Sequence, residues 1–92
     1  MLIFRISQNS LRKVSTTYSC AIVIAISTEE ARLIHPEGDL AWNTVLNKWC
    51  YSDDMNMPTW TDSWVNPNEV EVELIGVAHR PDRRILCACF NT

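Results

Sequence analysis

Alternating apolar and polar positions predict four β-strands in this chain. In each of them apolar side chains occupy every second position or a short continuous run, the two patterns of strands that are buried on one face or on both. The four segments comprise residues 2–6, 18–26, 69–75 and 85–90. The polar residues 79–84, with Pro81-Asp82 suited to a type I turn, predict a hairpin between the third and fourth strands.

The third predicted strand has one face exposed to solvent. Its alternation turns Val70, Val72 and Leu74 inward, and the glutamates between them outward. The alternation breaks at Ile75 and Gly76, and a glycine at such a break indicates a β-bulge.

The second strand, residues 18–26, is apolar on both sides. A strand of this kind belongs in the middle of a sheet, with both of its faces covered. One side carries only small residues, from Ala21 to Ala25, which leaves room for a closely packed helix. We expect Ala31 and Ile34 to face that side.

The stretch STEEARLIHP at 27–36 predicts that helix. Ser27 is a good N-cap and Glu30, three positions later, completes a capping box. Glu29 and Glu30 also suit the positive end of the helix dipole, and Pro36 stops the helix after about two turns. A zinc-protease helix needs two histidines one turn apart, and His35 stands alone here, so the glutamates are interpreted as caps and His35 as structural.

Residues 37–68 form an unusual insertion with four tryptophans. Trp42 and Trp49 fall at helical spacing and predict a short helix near 39–49, which Asp39 could cap. Residues 50–69 then read as a long irregular loop. Such a loop in a small domain is usually functional when it is ordered.

Composition places the chain among small soluble domains. Its 92 residues suit one domain, 1–92, and no apolar run reaches the ~18 residues that a membrane span needs. The elements together predict an α+β fold: a mainly antiparallel sheet of about four strands, one short helix packed on it and a long Trp-rich insertion.

Charge is distributed unevenly. The net charge is −3, which argues against general binding to nucleic acid. Residues 29–73 hold ten of the eleven acidic residues, opposed there only by Arg32 and Lys48. Such charge either forms two solvated faces or steers a partner, and a partner of the acidic segment is then expected to be basic.

Four cysteines leave several chemistries open. An even count permits disulfides, and Cys87 and Cys89 share a strand face. Together with Cys20, Cys50, His35 or His79 they could complete a tetrahedral metal site. Cys-x-x-Cys knuckles are absent, however, and reduced buried thiols are the default without a convincing secretion signal. No metal or other cofactor is predicted. The four residues are Cys20, Cys50, Cys87 and Cys89.

The tryptophan-rich insertion and the acidic residues around it are the candidate interaction surface. Tryptophan is frequent in binding hot spots, although two or three of these tryptophans are expected to form a small core that holds the insertion in place. The candidate contact residues are Trp42, Trp49, Asp53, Asp54, Trp60, Trp64, Glu69, Glu71 and Glu73.

Six segments, in one order along the chain, resemble a family of short proteins encoded by bacteriophages and prophages. They are FRISQ at 4–8, TYSCAIVIA at 17–25, TEEARLIHP at 28–36, WCY at 49–51, NEVEVELIGVA at 68–78 and ILCACFN at 85–91. The chain differs from the family pattern at Ser19, where an acid is expected, and in its short C-terminal end. The family brings no established catalytic residues. The resemblance implies a setting in which small acidic phage proteins bind and block a host protein, often a defence nuclease, as anti-CRISPR proteins do.

We therefore expect a non-enzymatic phage protein that inhibits a host protein in the bacterial cytoplasm, for instance a nucleic-acid-handling defence complex. No catalytic residue, direct nucleic-acid contact or membrane attachment is expected. Two alternatives stay open. One is a homodimeric scaffold joined by strand edges or by the tryptophan loop, and the other is a small metal-binding domain that uses the four cysteines.

Overall fold

The computed structural model of the chain describes residues 1–8, 17–59, 64–79 and 85–91. Within these ranges the chain is mostly antiparallel sheet with one short α-helix, as the α+β prediction requires. In chain order the elements are β1 (Leu2–Gln8), β2 (Thr17–Ala25), α1 (Thr28–Arg32), β3 (Leu40–Asn43), β4 (Lys48–Tyr51), β5 (Asp54–Pro58), a 3₁₀ turn (Pro67–Glu69), β6 (Val70–Val77) and β7 (Ile85–Asn91). None of the described helices is long and apolar enough to cross a membrane.

The four predicted strands form one antiparallel sheet in the order β6-β1-β2-β7. The predicted bulge in β6 is also present, because the register with β1 shifts between Ile3 and Phe4. The predicted hairpin between β6 and β7 is wrong: these strands lie at opposite edges of the sheet, with β1 and β2 between them. The Pro81-Asp82 turn itself lies outside the described residues.

The two faces of β2 differ in how far they are covered. Ala21, Val23 and Ala25 are completely buried on one face. On the other face burial is uneven, since Ile24 is buried whereas Ile22 is half-buried. The expectation that both faces are covered is therefore correct for the small-residue face and only partly correct for the other.

Helix α1 packs on the small-residue face, against β1, β2 and β6. The Ser27 hydroxyl accepts a hydrogen bond from the Glu30 amide at 3.2 Å, which confirms the predicted N-cap. Ala31 and Ile34 are buried in the same cluster as Ala21 and Ala25, so the predicted orientation of the helix is also confirmed. Small side chains on both elements allow this close approach.

The insertion folds into a second antiparallel sheet in the order β3-β4-β5, and the predicted helix at 39–49 is wrong. Trp42 and Trp49 lie directly opposite each other on β3 and β4. The connection between them turns because the Asn43 carboxamide oxygen accepts the amides of residues 45 and 46, at 2.9 and 3.0 Å. Asn47 then adopts a left-handed conformation with φ 53°, which asparagine tolerates better than most residues.

The predicted irregular loop at 50–69 is only partly correct, because β5 lies within it.

The core forms between the two sheets and α1, where apolar side chains of the second sheet cover the small-residue face of the first. Its buried members are Phe4, Ile6, Ala21, Val23, Ala25, Ala31, Ile34, Leu40, Trp49, Trp64, Val65 and Val70.

Candidate interaction surface

Two of the candidate tryptophans support the second sheet from within. Trp49 is 5% exposed, and its indole N–H donates to the Val65 carbonyl at 2.9 Å. Trp64 is 3% exposed, and its indole nitrogen has no hydrogen-bond partner among the described residues. Neither side chain offers an accessible surface, so their location agrees with the small-core interpretation of these tryptophans.

Trp42 is the accessible member of the described set. It is half-buried and packs edge-to-face on Trp49, with ring centroids 5.3 Å apart. Edge-to-face pairs of this kind hold the two rings at a defined angle. Trp60 lies outside the described residues.

His35 occupies the junction between the two sheets. It is 1% exposed, and its ring centroid lies 5.0 Å from that of Trp49, 6.3 Å from that of Tyr18 and 6.5 Å from that of Trp64. The ring Nδ1 accepts the Glu37 amide at 3.1 Å. Burial lowers the pKa of His35 to about 4, so the neutral ring joins β2 to β4 as a structural element.

The glutamates of STEEARLIHP serve the helix terminus. Glu29 is fully exposed, and hydrogen bonds from the backbone and from the Thr28 hydroxyl lower its pKa. The backbone amide of Glu30 is held by Ser27. Their arrangement suits a helix cap, and His35 lies away in the aromatic cluster.

The second sheet exposes four apolar side chains, two in the β3–β4 turn and two on β5. Val45 is 87% exposed, and Leu46, Met55 and Met57 are also exposed. Asn43 links the backbone of the two segments, because its side-chain oxygen accepts the amides of the β3–β4 turn while its amide nitrogen donates to the Met55 carbonyl at 2.7 Å. We call these four apolar residues the tip patch.

Val45 and Leu46 fall within the helix that the sequence predicts near 39–49, so sequence reasoning missed them as exposed turn residues. The signal that points to them is the pair Asn43 and Asn47, which is typical of a turn. Exposed methionines adapt their shape to varied partners, and contiguous apolar surface on a small protein commonly marks a site of interaction.

Acidic residues lie at the other end of the second sheet, because the β4–β5 turn and the β3–β4 turn are at opposite ends of strand β4. Asp53 and Asp54 are exposed at the β4–β5 turn. The Ser52 amide donates to the Asp39 carbonyl at 3.0 Å, which brings exposed Glu37 and Asp39 close to that turn. We call Glu37, Asp39, Asp53 and Asp54 the acidic rim.

Burial and, secondarily, the charges of Glu37 and Asp39 raise the pKa of Tyr18.

The other three predicted acids lie elsewhere. Glu69 ends the 3₁₀ turn, and Glu71 and Glu73 are exposed on β6. The candidate residues therefore divide between the two sheets and do not all meet in one site.

The cysteines also divide between the sheets. Cys50 is buried in β4, Cys20 is half-buried in β2 and Cys87 is exposed on β7. Cys20 lies opposite Cys89 in the register of β2 and β7. Within the described part of the chain no three side chains of the metal-binding types come together.

Comparison with known proteins adds no relative: no family model matches the chain, and neither a curated protein nor a solved structure shows significant similarity to it.

Proposed function

We propose that this chain is a small phage accessory protein that binds and inhibits a host protein without catalysis, in the manner of an anti-CRISPR protein. The observation that supports the proposal is that the second sheet carries both the tip patch and the acidic rim, the latter at the β4–β5 turn. Apolar side chains that supply contact area, together with carboxylates that select a basic partner, are the elements of a protein-binding surface.

The charge of the rim defines the kind of partner. The carboxylates of Glu37, Asp39, Asp53 and Asp54 are exposed, and exposed acids attract a basic surface over a Debye length of about 8 Å at physiological salt. A nucleic-acid channel of a host protein is lined by lysine and arginine, since it must neutralise phosphates. The acidic rim would compete with nucleic acid for those residues, while the tip patch supplies apolar contact.

The rigid base under the surface favours binding. Trp42 is held against buried Trp49, and Asn43 fixes both segments that carry the tip patch. A surface that is already ordered loses less conformational entropy when it binds. Trp42 is therefore the described tryptophan that we propose as a contact residue, and Trp49 and Trp64 act as its support.

The test is a comparison of four tagged proteins used to capture partners from a bacterial host lysate. They are the wild type, a tip variant (Leu46→Ser with Met57→Ser), a rim variant (Asp53→Lys with Asp54→Lys) and a matched control, Leu86→Ser. Leu86 is an exposed apolar residue of β7, so its substitution changes surface hydrophobicity without touching the tip. All five positions are exposed, so each variant should fold.

We expect one host protein whose capture falls at least ~10-fold with the tip variant and with the rim variant, but not with Leu86→Ser, because a hot spot contributes about 2 kcal/mol or more. The purified wild type should then block nucleic-acid binding by that protein, and the tip variant should not. Equal capture by all four proteins, or capture without inhibition, would contradict the proposal.

A further inference from the structure

Strand β6 has an open edge. In the described part of the chain it pairs with β1 on one side only. On its outer side the Arg32 guanidinium donates to the Val70 carbonyl. Main-chain groups alternate in direction along an antiparallel strand, so Val72 and Leu74 also direct their N–H and C=O groups outward. No described residue forms a hydrogen bond with them there.

Helix α1 covers only the first part of β6, because it is five residues long. Val70 beneath it is buried, whereas Leu74 is 57% exposed, and Ile75 and Val77 are exposed as well. The prediction that Leu74 points into the core is therefore wrong, although Val70 obeys the same alternation. We call Leu74, Ile75 and Val77 the β6 patch.

Neighbouring strand ends enlarge this apolar surface. Val77 lies opposite Leu2 in the register of β6 and β1, and the Ala78 amide donates to the Met1 carbonyl at 3.0 Å. Met1 is exposed, and so is Ile26, directly after the β2 residue that pairs with Leu2. A long apolar edge of this kind is normally shielded, because it invites pairing with another chain.

The same strand carries negative charge. Glu71 and Glu73 are exposed and alternate with Val72 and Leu74. Neither carboxylate forms an ion pair with a described residue, although Arg5 lies opposite Glu73 on β1. The edge therefore presents carboxylates and apolar side chains at alternate positions along one strand.

We infer that the outer edge of β6 is a second docking surface, which takes an extended segment of a partner protein with alternating basic and apolar residues. Main-chain hydrogen bonds to Val72 and Leu74 would add the segment to the sheet as a further strand, and its basic side chains would meet Glu71 and Glu73. Charge complementarity favours this occupant over a second copy of the chain, since another β6 would bring more carboxylates to the edge.

The surface is separate from the tip patch, so it can be tested independently of the proposed function. The probe is a fluorescent hexapeptide of alternating lysine and valine, measured by anisotropy against the full chain. Two further peptides keep the design interpretable: one with N-methylated valines, which cannot complete the main-chain pairing, and one with glutamate in place of lysine. These controls leave the protein unchanged.

We expect both control peptides to bind at least ~10-fold more weakly than the lysine–valine peptide. In the protein, Leu74→Pro should weaken binding by a similar factor, because it removes an outward N–H, while Leu74→Ala should retain most of it. The tip variant Leu46→Ser with Met57→Ser should bind the peptide normally. Amide resonances of Val72 and Leu74 should shift when the peptide is added.

Equal binding of the N-methylated peptide would overturn the inference, as would resonance shifts confined to the second sheet. A dimer in light scattering that Leu74→Pro converts to monomer would overturn it too, because the occupant of the edge would then be a second copy of the chain.

Discussion

Lowering the pH should destabilise the protein through His35. The ring is buried between aromatic side chains of the two sheets, and its Nδ1 accepts the Glu37 amide. A protonated ring would hold a charge away from water and would place an N–H against that amide donor. Protonation therefore favours the unfolded chain, in which the imidazolium is solvated.

The magnitude follows from the two pKa values. The folded-state pKa of His35 is about 4, below the value of 6.5 for an ordinary histidine. Because the unfolded chain binds the proton first, the free energy of unfolding is highest above about pH 6.5, falls as the pH decreases and levels off near pH 4. The full loss of unfolding free energy is about 3 kcal/mol, because each unit of difference between the two pKa values contributes ~1.4 kcal/mol. About 2 kcal/mol of this loss occurs between about pH 7.5 and pH 5.

Urea denaturation at a series of pH values measures this effect. The wild type should lose about 2 kcal/mol more than His35→Phe over that range, because phenylalanine keeps an aromatic ring that does not titrate. His35→Phe should have a lower unfolding free energy at pH 7.5, since the Glu37 amide loses its acceptor. The exposed His79 provides the matched control, and His79→Asn should show the pH dependence of the wild type.

Parallel pH profiles for the wild type and His35→Phe would refute the reasoning. A ring resonance of His35 in the folded protein that titrates near pH 6.5 would refute it as well, because the ring would then experience water. Because His35 joins the two sheets, the pH-dependent loss of unfolding free energy should appear in the unfolding of the whole protein.

Two substitutions test the backbone and the core by thermal or urea unfolding. Gly38→Ala should lower the free energy of unfolding by about 1 kcal/mol or more, because Gly38 has φ +90° and an added Cβ would also lie 3.4 Å from the Ile85 side chain. Gly76→Ala is the control, since the nearest atom to its added Cβ is 3.7 Å away, and it should be close to neutral. Equal effects of the two substitutions would contradict the argument. Trp49→Phe should cost about 1–3 kcal/mol, since the buried Val65 carbonyl loses the indole donor at 2.9 Å, and an unchanged unfolding midpoint would show that this bond adds no stability.

Sequence patterns were sufficient wherever structure depends on near neighbours. The alternation in β1, β2 and β6 identified strands because side-chain direction in a strand has a period of two. The Ser27 cap joins residues three positions apart, and the β6 bulge coincides with a local break in alternation. These features depend only on residues that are close to one another in the sequence.

Patterns failed where two structures satisfy the same spacing. Trp42 and Trp49, seven positions apart, fall on one face of a helix and are also opposite each other across a β-hairpin. The Asn43 side chain decides between these structures by stabilising the turn. The turn residues at 79–84 suggested a hairpin, yet strand order depends on contacts between β1, β2 and their neighbours across the sheet.

The candidate site shows the same division. The sequence alone identified the insertion and its acids as the region to consider, because aromatic density and charge are visible in composition. Only the tertiary structure decided that Trp49 and Trp64 are buried while Val45 is exposed. The exposure of Leu74 was decided in the same way: its position in the alternation equals that of Val70, but helix α1 ends before it can cover that part of β6. Alternation specifies which face a side chain occupies, whereas burial depends on whether another element reaches that face.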